Sequence, residues 1–511
     1  MDPRPKLVAL HLDLKYQMPR KNYLLEWVQR LPEWGVNALL IEYEDKLPFG
    51  KYPFLRAEEA FTPGELRRFL DTARGVGLKV IPLIQSLAHL EFALAHPELE
   101  DLRERRDVPC TICPSNPRAI RFVHDLFDEA LRYHAPDEFF HIGADEASMI
   151  GLCPACRRRI KDADAFYREH DVRMCRRVMQ RGKRPILWDD AFGWGRDPET
   201  VAALPKEAIP ASWEYFATRA QPGKYPWMNL PVYRKLGYEH LGTPCLNYQV
   251  LFPMPVGVEN TRLWAQQVRR HDMFGMIQSQ WACFHMPLPM TACQVAATGA
   301  LMRDPTLRIT PGWEDAFFRE EFGADVRGLS RGLRALGERW EIAVEGLQRP
   351  INPVYCYMDM MLWYPRGHED RRRNGAYPLD WREVDFVSIH KKKARLLAFH
   401  AERERVVREV GEYEERYDEA RRATADLARR ATRHRREAEL YAAAAELKWL
   451  YTREWTLLLR GKGNARRLLE DFRANRRRFL SALTPFLEPG SVRRMDRLYC
   501  EPPVRLLEER R

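Results

Sequence analysis

The stretch EFFHIGADEASMIGLCPACRRRI (138–160) joins a short apolar run to a glycine, two adjacent carboxylates and a Cys-x-x-Cys pair. Its first part, EFFHIG (138–143), lacks the polar alternation of a half-exposed strand. Strands buried on both faces of a parallel sheet read this way. Similar runs recur on either side: LVALHLDL (7–14), NALLIEY (37–43), LKVIPLIQ (78–85), RPILWD (184–189), AIPASW (208–213), TPCLNYQV (243–250) and GMIQSQW (275–281). Helix signals lie between them. TPGELRRFLDTARGVG (62–77) opens with Thr62 as a cap, Pro63 at the first helical position and Glu65 three residues after the cap. SNPRAIRFVHDLFDEALRY (115–133) and ENTRLWAQQVRRHD (259–272) behave alike. Eight strand–helix alternations over about 300 residues predict an α/β fold, a (β/α)8 TIM barrel rather than an open sheet.

Beyond about residue 320 the strand signal fades, and 325–346 and 386–482 carry helical periodicity rich in Ala, Leu, Arg and Glu. The expected organisation is a barrel over 1–320 and a C-terminal α-helical region over 321–511 packed against it. Residues 347–380, including INPVYCYMDMMLWYP, read as an aromatic-rich connection or lid edge.

Composition narrows the classes. Of 511 residues, 45% are hydrophobic and 11% aromatic, ample for a packed core and an aromatic cleft. No apolar stretch is long enough to span a bilayer, and MDPRPKLVALHLDLK does not read as a signal peptide. A cytoplasmic protein is therefore expected, with its ten cysteines as thiols or metal ligands rather than disulfides. The net charge of +11 comes largely from C-terminal runs such as ARRATRHRRE (428–437) and ANRRRF (474–479). Arginines interleaved with glutamate suit solvated helix faces better than a nucleic-acid surface. Neither membrane nor nucleic acid is an expected partner; a homodimer is left open.

Functional groups in such barrels gather at the C-terminal ends of the strands. Those ends carry Asp13 and Lys15; Glu42, Tyr43 and Glu44; Gln85 and His89; and His141, Asp145 and Glu146. The remaining four supply Trp188 with Asp189, Trp213 with Tyr215, Asn247 with Tyr248, and Gln278 with Trp281. Carboxylates ringed by aromatics suit a carbohydrate, whose ring faces stack on Trp and Tyr while its hydroxyls take charged partners. Any one Trp reads as well as core packing; three at strand ends are harder to place there.

HIGADEA (141–147) is similar to the His-x-Gly-Gly-Asp-Glu motif of the β-N-acetylhexosaminidases, glycoside hydrolase family 20. HLDLK (11–15), IEYEDKLPF (41–49), GLKVIPLIQSLAHLEF (77–92) and CPSNP (113–117) resemble the branch of that family containing hexosaminidase D, which lacks the small α+β domain of larger relatives. The resemblance covers roughly 6–300. It implies a retaining exo-acting hydrolase for terminal β-linked N-acetylhexosamine, in which the substrate's own 2-acetamido oxygen attacks the anomeric carbon. Glu146 is then the expected general acid and base, with a pKa raised by burial and its acidic neighbour, and Asp145 the carboxylate that orients the acetamido N–H. Tyr248 would donate to the acetamido oxygen, and Trp188, Trp213 and Trp281 would wall the sugar. His89 and His141 would support the acid, while Lys15, Glu42, Glu44, Asp189 and Tyr215 complete the expected sugar site. No cofactor is expected for catalysis. Adjacent carboxylates on an extended strand face opposite ways, so the chain must bend here, and Gly143 and Ala144 leave room for that.

Three departures bear on specificity. Lys15 is the nearest basic residue where larger relatives carry a sugar-gripping arginine; Gln85 replaces the acidic partner of His89; and Trp281-Ala282-Cys283 replaces Trp-x-Glu. The choice between gluco and galacto sugars thus stays open. Two other classes of function also remain: a catalytically silent carbohydrate-binding barrel, and a hydrolase using two ordinary carboxylates such as Glu44 and Glu146.

Cys110-Thr-Ile-Cys113 and Cys153-Pro-Ala-Cys156 supply four thiolates, enough for a closed, structural zinc site. Their separation exceeds finger spacing but places one pair after strand three and the other after strand four, in neighbouring loops. The alternatives are incidental thiols, with Cys113 packed beneath the CPSNP turn, or a redox pair.

Overall fold

A computed structural model of the chain describes residues 6–147, 149–159, 162–193, 197–217, 226–248, 250–281, 285–338, 340–342, 351–354, 385–398, 403–461 and 463–510. The sheet closes into a barrel of eight positions: β1 (Leu7–Asp13), β2 (Ala38–Glu42), β3 (Lys79–Leu83), β4 (Phe139–His141), β5 (Arg184–Trp188), β6 (Ile209–Trp213), β7 (Leu241–Thr243, continued by Cys245–Tyr248) and β8 (Gly275–Trp281). Every neighbouring pair in it is parallel. β8 returns to β1 with Leu7 opposite Gly275, so the sheet has no free edge. The predicted fold is the observed one. β7 starts two residues earlier than its apolar run suggested, because Leu241 and Gly242 already pair with β8.

Side-chain alternation divides the strands into two cores. Leu7, Ala9, Ala38, Leu40, Ile81, Leu83, Phe139, Ile186, Trp188, Ile209, Ala211, Leu241 and Ile277 fill the barrel interior. Leu10, Leu12, Leu39, Ile41, Val80, Phe140 and Leu187 face the surrounding helices. The helix Pro63–Gly75 begins as expected: Glu65 N–H donates to Thr62 Oγ1 at 3.2 Å and Thr62 N–H to the Glu65 carboxylate at 2.8 Å. Such a cap is worth about 1 kcal/mol.

The C-terminal region is helical, with long helices at Arg403–Arg430, Arg435–Arg460 and Ala465–Leu483. The helix Pro311–Phe322 runs across the expected boundary at residue 320, and the apolar layer outside the barrel continues into the C-terminal helices. Most of the expected connection at 347–380 lies outside the described residues. The helices reach the functional rim of the barrel through Pro489–Met495. Ser491 Oγ accepts the Met18 N–H at 2.7 Å, and Arg494 pairs with Glu59 while donating to the Tyr16 carbonyl. No described helix is long and apolar enough to cross a membrane.

The rim is strained in one place above all. Among the described residues, seven non-glycine residues have positive φ, and Tyr16, Glu44, His89, Ala144 and Glu146 follow the first four strands. After β4 the chain passes through Gly143 (φ 63°), Ala144 (φ 70°) and Glu146 (φ 50°). This is the bend that the adjacent carboxylates require. A side chain at 143 would put its Cβ 2.0 Å from Gln85 Oε1 and 3.1 Å from Gln85 Cα. Gly143→Ala is therefore expected to lower stability by about 2–4 kcal/mol through left-handed strain and overlap with Gln85. Chemical denaturation measures it, and a wild-type midpoint would contradict the tightness of this bend.

Candidate active site

The bend brings Asp145, Glu146 and His89 together. His89 Nε2 lies 3.4 Å from Asp145 Oδ2 and 3.4 Å from Glu146 Oε2. Burial disfavours the imidazolium, but the two carboxylates outweigh it and raise the His89 pKa well above 6.5. Asp145 Oδ1 is buried and has no hydrogen-bond partner among the described residues, a strong acceptor open to an incoming donor. Glu146 differs from expectation. Its side chain is 59% exposed, because the left-handed backbone swings it off the strand direction and out of the rim.

Asp190 is the functional candidate that sequence reasoning missed. Its Oδ2 accepts the Glu146 N–H at 3.0 Å and its Oδ1 the Trp213 indole N–H at 2.7 Å. Burial and the neighbouring charge of Asp145 hold its pKa well above the usual carboxylate range. The expected residue, Asp189, points the other way: Ser212 and Tyr233 hydroxyls donate to its Oδ2, outside the barrel interior. Burial lifts the Asp189 carboxyl to about 6. Alternation from the inward Trp188 assigns the inner face to 190 and not to 189. That parity was the available signal.

The other expected residues divide by depth. Trp213 stacks on Tyr215 with centroids 5.2 Å apart, and Trp281 lies 6.4 Å from Tyr215 and 6.1 Å from Trp188. Trp188 is fully buried, forming the floor rather than a wall. The Tyr248 side chain, like Ala282 and Cys283, lies outside the described residues. His141 does not support the acid. Its Nδ1 accepts the Gly143 N–H at 3.0 Å, its ring packs 4.3 Å from Trp188, and burial lowers its pKa to about 3. A neutral His141 thus props the bend.

Glu42 is likewise internal. It faces His11 Nε2 at 3.1 Å and accepts from Gln85 Nε2 at 3.2 Å. Burial opposes its ionisation, yet His11, Lys15 and Gln85 hold its pKa at about 2. Gln85 also accepts the Ala144 N–H at 3.3 Å, so it braces the bend instead of partnering His89. Lys15 and Glu44 lie 3.9 Å apart, with Glu91, a second unexpected residue, 3.3 Å from Lys15. All three line a cavity of about 390 Å³ that Arg493 and Arg494 of the C-terminal region also border. Burial raises the Glu44 pKa despite Lys15, and the Lys15 ammonium is stabilised by Glu44 and Glu91 against the cost of its own burial.

The four cysteines do not converge. Cys113 Sγ lies 3.4 Å from Cys153 Sγ and 3.6 Å from Cys156 Sγ, but Cys110 turns to Thr111 and Met149. Cys110 sits in the hairpin strand Val108–Ile112, and residues three apart on extended chain face opposite sides. Cys153 and Cys156 instead open the helix Pro154–Arg159, where the same spacing turns both inward. Glu104 takes the fourth position, its carboxylate within 4.8 Å of the three sulfurs.

Comparison with known proteins identifies the family. The profile described as glycosyl hydrolase family 20, catalytic domain, matches residues 45–224. Hexosaminidase D of Bos taurus is 30% identical over 290 residues, 53% of this chain and 83% of that protein. Hexosaminidase D of Homo sapiens is 33% identical over 240 residues, 45% of this chain and 49% of that protein, so the chain spans about half its length. Among solved structures, a GH20 exo-β-N-acetylglucosaminidase from Vibrio harveyi in complex with N-acetylglucosamine superposes with a TM-score of 0.50 at 14% identity. That superposition covers 66% of this chain and 59% of the other, and it supports the barrel fold alone. The chain belongs to glycosyl hydrolase family 20, on its hexosaminidase D-like side.

Proposed function

We propose that the chain is a retaining exo-β-N-acetylhexosaminidase that removes terminal β-linked GlcNAc or GalNAc with the help of the substrate's acetamido group. One observation carries the reading: the backbone bend sets an exposed Glu146 beside a buried Asp145 whose Oδ1 has no partner among the described residues, with His89 touching both carboxylates.

In this mechanism Glu146 donates a proton to the glycosidic oxygen as the acetamido carbonyl oxygen bonds to the anomeric carbon; the bond from that carbon to the glycosidic oxygen breaks, releasing the aglycone as an alcohol and leaving an oxazoline-type intermediate. Asp145 accepts the acetamido N–H and balances the positive charge that develops there. Glu146 then takes a proton from the water that opens the intermediate, and the two inversions return the original β configuration. His89 holds the two carboxylates in register, and Asp190 fixes the backbone of Glu146 and the indole of Trp213. Trp213, Tyr215 and Trp281 offer stacking surfaces for the sugar. A sugar seated over Glu146 would cover the side chain that the free protein leaves exposed.

Chromogenic β-GlcNAc and β-GalNAc should be cleaved while the plain β-glucoside is not, and Glu146→Gln should lose at least about 100-fold in kcat. Equal turnover of the glucoside would sink acetamido participation and favour two ordinary carboxylates. Folded protein inert toward all three would favour a binding barrel. Asp190→Asn should lower kcat about 10-fold, the value of one hydrogen bond that positions Glu146, while circular dichroism stays native. The raised pKa of His89 gives a further expectation. Its stabilising contribution is fully present below about 6.5 and is lost as pH rises through the higher folded-state value. The stability gap between wild type and His89→Asn should shrink as pH is raised over that window; a gap that widens would show the sign to be wrong.

A further inference from the structure

The structure assigns a closed zinc site to Glu104, Cys113, Cys153 and Cys156, built behind the active-site loop and separate from the catalytic carboxylates. The sulfur positions are the first ground. Around a tetrahedral zinc with bonds of about 2.3 Å, neighbouring sulfurs sit about 3.8 Å apart. Cys113 Sγ lies 3.4 Å from Cys153 Sγ and 3.6 Å from Cys156 Sγ, within a few tenths of an ångström of that edge. All four ligand atoms fall within 4.8 Å of one another.

The second ground is electrostatic. Glu104 is buried, and its described contacts are the Cys153 N–H, 2.8 Å from Oε1, and Cys156 Sγ, 3.2 Å from Oε2. Among the described residues no lysine, arginine or histidine pairs with it. A buried carboxylate facing three sulfurs without a cation is costly, and a divalent ion removes that cost. Supporting contacts suit thiolates: the Cys156 N–H donates to Cys153 Sγ at 3.3 Å, and Ser115 Oγ stands 3.1 Å from Cys156 Sγ. Ile150 and Phe166 pack against the sulfurs and shield them from water.

Three sulfurs and one carboxylate select a thiophilic ion of tetrahedral habit, Zn²⁺, and leave no open position for catalysis. Binding releases the thiol protons to solvent and forms three Zn–S bonds and one Zn–O bond, without oxidation or reduction. The ion joins the hairpin Arg103–Ile112, which follows β3, to the segment around Cys153–Cys156, which follows β4. It thereby pins the far end of the loop that carries Asp145 and Glu146.

The test uses the whole 511-residue chain purified without added metal or chelator. Elemental analysis should give about one zinc per chain, released by a mercurial and read by the colour of a zinc-binding dye. Replacement by Co²⁺ in wild type should give the intense visible absorption of a tetrahedral thiolate site, which needs no variant to fold. Cys110→Ser should keep the metal, Cys156→Ser should lose it, and Glu104→Gln should release it to a competing chelator at least about 10-fold more readily. Folded wild-type protein free of metal, with Cys113, Cys153 and Cys156 all open to a thiol reagent or joined in a disulfide, would overturn the site. Loss of zinc from Cys110→Ser with full retention in Glu104→Gln would overturn the assignment of the fourth ligand.

Discussion

Two neighbouring carboxylates on a strand point to opposite faces, and the mouth of this barrel is organised around reversing that. Left-handed backbone at Gly143, Ala144 and Glu146 performs the reversal, and each part of it has a brace. The Gly143 N–H is held by His141, the Ala144 N–H by Gln85 and the Glu146 N–H by Asp190. Tyr167 adds a hydroxyl donated to the Ala144 carbonyl. Strain of this kind persists only where the surroundings over-determine it. The braces come from β3, β4, β5 and the helix Ala163–Met179, so the geometry of two residues depends on four elements.

The same dependence orders the ionisable groups behind the rim. Asp190 and Asp171 are both buried, and burial together with Asp145 raises both pKa values. Neither oxygen of Asp171 has a hydrogen-bond partner among the described residues. Asp190 and Asp171 thus stand behind the front, where Asp145 and Glu146 meet His89. The C-terminal helices contribute at a distance, since Arg494 ties Glu59 to the turn that follows β1.

Much of this was legible in the sequence, and what was not has physical causes. The eight apolar runs revealed the barrel because strands buried on both faces leave no other pattern. The bend was readable from Gly143 and the Asp–Glu pair, since their chemistry demands it. Parity alone would have exchanged Asp189 for Asp190, but reading it requires knowing which face of β5 is the inner one. Cys110 and Glu104 could not be sorted that way, because a Cys-x-x-Cys spacing chelates at a helix start and splays on a strand. His141 and Glu42 were misjudged for another reason: residues at the right strand ends can still lie one layer too deep. Tyr248 keeps its expected role as a proposal, its side chain lying outside the described residues.

The left-handed residues of the rim follow β1 to β4, whereas Trp213, Tyr215 and Trp281 come from β6 and β8. The mouth is therefore two-sided, one semicircle polar and rigidly posed, the other aromatic. Under the proposed function, a pyranose entering it would meet aromatic faces on one side and polar groups on the other. Each semicircle can also drift separately. Under the proposed function, substitutions among Lys15, Glu44 and Glu91 would change the polar side while leaving the aromatic stacking surfaces in place.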